Sequence, residues 1–151
     1  MKKRRWYWLL PLLGLMAWQL DRPIVTNPAS PAEDALWEEH PAPQVTFALL
    51  QAACMDCHSN ETVWPWYAHI QPIGGFVAGH VRQGRAEVNF SEWQQLSEED
   101  RPYMAKACAK LVKNQSMPLH SYTWLHPEAK LSETERQLLF AYFHHISLPF
   151  P

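Results

Sequence analysis

Residues 54–67 read CMDCHSNETVWPWY. Two cysteines separated by two residues and followed directly by His58 allow three chemistries: a redox dithiol, half of a zinc site, or the anchor of a covalent haem. A thioredoxin-type dithiol opens a helix after a strand inside a βαβ pattern. No segment here shows sustained period-two alternation, and dithiol chemistry gives His58 no part. A structural zinc site takes four ligands. Cys108 stands alone, and the adjacent His144 and His145 do not form a second ligand pair on one helix face. The haem reading uses every residue of the motif. Each thiol of Cys-x-x-Cys-His adds across one haem vinyl group, and the helical turn aims the next side chain at the iron.

Working outward, the periodicity is helical. Val45 to Cys57 runs into the motif with Phe47, Leu49, Leu50 and Ala53 available for packing. Gly74 to Gly84 predicts a second helix, weakened by the glycines at 74, 75 and 79. Ser97 with Asp100 forms an N-cap pattern before apolar residues at 104, 107, 108, 111 and 112. Ser132 with Glu135 forms a capping box ahead of a stripe of Leu138, Leu139, Tyr142, Phe143 and Ile146. The expected fold is all-α, a small cytochrome c-like helical domain with long proline-bearing loops.

The chain of 151 residues carries eight tryptophans, eight histidines and 13 prolines against five glycines. Rigid irregular segments and large flat side chains are therefore expected around the helices. Lys2, Lys3, Arg4 and Arg5 precede an apolar run from Trp6 to Trp18, the form of an export signal. No Ala-x-Ala cleavage site follows, so residues 1–20 read as a signal anchor, with a cleaved signal peptide as the alternative. The membrane contact would fall on residues 6–20. A cationic end that stays cytoplasmic puts the rest of the chain outside, on the periplasmic side of the inner membrane of a bacterial envelope. Residues 21–44 hold five prolines, at 23, 28, 31, 41 and 43, and read as a stiff linker. Residues 45–151 form the domain. Without the four leading cations, nine basic residues face 15 acidic ones. That acidic balance excludes a nucleic-acid-binding face and suits a basic docking patch on a redox partner.

The run from Cys54 to Trp93, CMDCHSNETVWPWYAHIQPIGGFVAGHVRQGRAEVNFSEW, and the run from Met117 to Arg136, MPLHSYTWLHPEAKLSETER, resemble the small bacterial haem-binding domain family of envelope proteins. The resemblance covers nearly all of the chain after Val45. It implies a haem site at Cys54, Cys57 and His58. The family names a ligand and leaves the reaction open.

Iron held by one histidine keeps a second axial position, and its occupant separates electron transfer from chemistry on a small molecule. Met117 lies 60 residues after Cys57 and precedes Pro118 and a capped terminal helix. Small c-type cytochromes are similar in this order of parts. A thioether is a soft ligand that suits ferrous iron, so Met117 is the expected distal ligand and gap-filling in the core its alternative. His80 and His120 lead the competing histidines, ahead of His69 and His126. Met104 belongs to a core stripe, and Met55 should face away from the haem. Trp66, Tyr122, Arg82 and Arg85 are further candidate haem contacts, the arginines because a guanidinium grips a carboxylate in a fork. Packing and solvation are the alternatives for these four. Cys108 reads as a small core residue.

The expected function is a monohaem c-type cytochrome domain, with one covalent haem c, that passes single electrons between envelope partners. It has no catalytic residues. A peroxidase-like enzyme or a gas or redox sensor with an open distal position is the alternative, and an accessory subunit with a structural haem is a third.

Overall fold

The computed structural model describes residues 7–148. Helix α1, Leu9–Trp18, is followed by an extended segment and the single turn α2, Leu36–Glu39. Helix α3, Gln44–Leu50, passes through a π-helical turn, Gln51–Met55, into α4, Asp56–His58. Then come α5, Ile73–Glu87, α6, Asp100–Lys113, the short α7, His120–Thr123, and α8, Glu133–Ile146. Four 3-10 turns join them, at Ala32–Asp34, Trp66–His69, Phe90–Gln95 and Pro127–Ala129. There is no strand among the described residues, so the fold is all-α as expected.

The caps form where the sequence places them. Ser132 Oγ accepts from the Glu135 N–H while the Glu135 carboxylate accepts from the Ser132 N–H, a complete capping box. Ser97 Oγ accepts from the Asp100 N–H at 3.1 Å and starts α6. Helices α6 and α8 pack on each other, α3 lies against α8, and α4 lies against α5. Their shared core contains Leu50, Phe90, Trp93, Ala105, Ala109, Val112, Leu139, Phe143 and Ile146.

On α6 the buried line runs through Ala105, Ala109 and Val112, while Met104 and Cys108 flank it and Leu111 is exposed. This is about a residue away from the stripe that the apolar spacing predicts. Small alanines on the inner line let α8 approach with its bulky Leu139 and Phe143, and volume complementarity of this kind outweighs hydrophobicity as a guide to facing.

The proline-rich segment does not stand clear of the domain. Leu36 is fully buried in the core, and Tyr142 donates to the His40 carbonyl at 2.7 Å. Asn27 accepts from Trp64 Nε1 and donates to the Thr62 carbonyl. Gln19, just after α1, exchanges two hydrogen bonds with the Gln71 backbone, and Gln71 Nε2 donates to the Asp21 carbonyl. Prolines stiffen a segment without saying whether it is free. Here apolar Leu36 and a few polar anchors lay it along the helices.

The apolar residues of α1 are exposed, and no helix among the described residues is long and apolar enough to cross a membrane. The four leading cations and Trp6 lie outside the described residues.

Candidate functional site

His58 ends α4, and α5 orients it. Its Nδ1 lies 3.0 Å from the Gly84 carbonyl and 3.2 Å from the Val88 carbonyl. A carbonyl only accepts, so Nδ1 carries the proton and Nε2 keeps its lone pair for a metal. Burial pushes the His58 imidazolium down in pKa, against the weaker opposing effect of the two carbonyls. The neutral, ligating form is thus the one the fold favours. Glycine at position 84 makes the approach feasible, because a Cβ there would collide with the Cys57 carbonyl.

Behind the motif a polar network fixes the α4 terminus. Asn60 takes a hydrogen bond from Asn89, and its own N–H and side chain donate to Ser91 and Glu92. Asp56 accepts from Tyr122 Oη at 2.8 Å and from the Val63 N–H at 2.8 Å. Burial, together with this carboxylate, raises the Tyr122 phenol above its ordinary range. Tyr122 therefore ties α7 to α4.

Two adjoining cavities open beside the motif. One of about 310 Å³ is bordered by Cys57, Tyr67, Phe76, His80 and Tyr122. The other, about 270 Å³, is bordered by Cys57, His58, His80, Gly84, Met117 and Tyr122. Cys57, His80, Leu119 and Tyr122 border both, so the two are lobes of one cleft. Size and apolar lining match the usual character of a cofactor site.

The cysteines are free thiols, and they are not equivalent. Cys57 borders the cleft, and burial pushes its thiol up to about 11 with help from Asp56. Cys54 packs against the core cluster. Burial first, then proximity to Cys108 and Cys57, pushes it up to about 12. It lies in the π-helical turn, a widened turn of the kind that recurs at functional sites. Cys108, half-buried beside the core, is likewise raised to about 12 by burial.

Of the other candidates, Met117, Tyr122 and His80 meet in the cleft with His58. Trp66 is 75% exposed and borders neither lobe, whereas its neighbour Tyr67 does border one. Arg82 and Arg85 border a separate groove on another side of α5, together with Thr26 and Trp64. Arg85 donates to the Ser59 and Thr26 carbonyls, to Asn27 Oδ1 and to Thr62 Oγ1. Its guanidinium binds the proline-rich segment to the domain. Met55 is buried and outside the cleft, as expected.

Sequence reasoning missed the chain Tyr67–His126–Glu128. Tyr67 Oη lies 2.7 Å from His126 Nε2, and His126 Nδ1 lies 3.0 Å from Glu128 Oε1. Tyr122 stacks on the His126 ring with centroids 4.3 Å apart. The residues are 59 positions apart in the chain and carry no local signature.

A half-buried imidazole with a free nitrogen, the Cys57 thiol and the Met117 thioether border one cleft, with Cys54 in the turn just before it, and together they form the donor set of a haem protein. The model of the haem-binding domain family matches residues 13–145. The chain belongs to that family. No curated protein and no solved structure matches the chain.

Proposed function

We propose that this haem-binding protein is a monohaem c-type electron carrier of the bacterial envelope. Cys54 and Cys57 hold the haem as thioethers, His58 is the proximal ligand, and Met117 is the distal ligand. The carrying observation is that His58, its tautomer set by the Gly84 and Val88 carbonyls, shares one cleft with Met117. When bound, the haem supplies the one-electron couple, and the chain sets its potential through ligands, burial and hydrogen bonds.

The residues divide that work. The Gly84 carbonyl of α5 and the Val88 carbonyl just after it hold Nδ1 of His58. Leu119, Phe76 and Tyr122 line the cleft with apolar surface. With His58 and Met117 both holding the group, no position would remain for a substrate, which favours electron transfer over catalysis. The acidic balance of the folded part supports docking on a basic partner surface, with a salt-dependent association rate. The leading cations and apolar run support export and an N-terminal anchor in the inner membrane, with the domain on the periplasmic side.

Expression with c-haem maturation, followed by denaturing extraction and absorption spectra, tests the reading. Haem that stays with the denatured chain, with a methionine-to-iron band lost in Met117→Ala, is expected. Extractable haem would remove the c-type assignment. A high-spin spectrum unchanged by Met117→Ala would transfer the protein to the peroxidase-like or sensor class.

A further inference from the structure

The four histidines that compete for iron separate cleanly in the structure. His69 and His120 are exposed and border neither lobe of the cleft. His126 uses both ring nitrogens, on Tyr67 and on Glu128. His80 differs from all three. It borders both lobes, beside Cys57 in each.

Its ring is also held. Nδ1 donates to the Phe76 carbonyl at 3.0 Å, which fixes the tautomer and leaves the Nε2 lone pair available. The imidazole packs on the Phe76 ring with centroids 4.2 Å apart. His58 is prepared in the same manner, by a carbonyl about two turns further along α5. A histidine whose Nδ1 is tied to a backbone carbonyl is the usual form of a metal ligand.

Resting on the haem reading above, we propose that His80 is a second distal donor, competing with Met117 for the same iron position. Thioether and imidazole differ in softness, so the pair gives the distal position an alternative occupant when the thioether is displaced or lost. The position then stays closed to small molecules, and the protein remains a carrier at a lower potential.

The test uses the full chain matured with haem. Ferric absorption and electron paramagnetic resonance spectra are recorded for the wild type, Met117→Ala, and the double variant Met117→Ala/His80→Ala. The single variant is expected to stay low-spin with a bis-imidazole signal, and the double variant to become high-spin. Added imidazole should return the double variant to low spin, which shows that its cleft is intact. A high-spin single variant overturns the proposal, as does a double variant that remains low-spin without imidazole. Covalent attachment is scored separately by extraction, so failure of the haem c assignment is distinguishable from failure of His80 as a donor.

Discussion

His58 and Gly84 are joined across two helices: the imidazole Nδ1 donates to the Gly84 carbonyl at 3.0 Å, and the missing side chain of Gly84 is what admits Cys57 to the same spot. The contact sets the ligand's tautomer and the α4–α5 packing at once. Any change at Gly84 therefore acts on both.

Gly84→Ala should destabilise the domain by about 1–3 kcal/mol, the usual cost of overpacking a tight contact, and lower the haem content per chain. Gly79→Ala is the control. A Cβ at 79 meets nothing within 4 Å, so it should be neutral or raise stability by up to about 1 kcal/mol through helix propensity. Thermal melts and pyridine haemochrome assays check both. Equal effects at the two positions would contradict the close approach.

Arg85→Ala should cost about 1–2 kcal/mol, since its hydrogen bonds are charge-assisted yet partly exposed. The loss should appear as faster proteolysis within residues 21–31. The haem spectrum and potential should stay as in the wild type. A shifted potential with unchanged proteolysis would return Arg85 to the role of a propionate contact.

Thiol counting tests attachment independently of spectra. Burial keeps Cys54 and Cys57 protonated, at about 12 and about 11. The folded haem-free chain should therefore react slowly with a disulfide reagent at pH 8, and after unfolding all three cysteines should react. The unfolded mature protein should show Cys108 alone. Three reactive thiols in the mature chain would rule out thioether bonds.

Acid sensitivity should involve His40. Burial lowers its pKa below 6.5, with Glu39 opposing and His145 and Arg101 assisting. Between the lowered value and 6.5 the unfolded chain binds a proton that the folded chain does not. Stability should then fall as pH drops through 6.5 and level off below the folded pKa. Denaturant titrations of His40→Gln against wild type check this. The variant should show a shallower slope, and an unchanged slope would remove His40 from the account.

Much of the frame is legible in the residues because its causes are local. Cys-x-x-Cys-His acts within one helical turn, the Ser132–Glu135 box closes over three residues, and the Leu139–Phe143–Ile146 line follows helical periodicity. The α6 stripe is less legible, since small alanines face inward where α8 supplies the bulk.

What the sequence alone determined was the all-α class, the positions of the four long helical stretches of the domain, and the motif that brings a haem-binding family into view. Only the tertiary structure decided which donors share a cleft. It gathers His58, His80 and Met117, sends Arg85 to the proline-rich segment, and lays Leu36 into the core. The reason is physical. Helix and cap signals arise from neighbours three or four residues apart, whereas the cleft brings to the motif side chains such as His80 and Tyr122, 22 and 64 positions beyond His58, whose meeting is set by packing between helices.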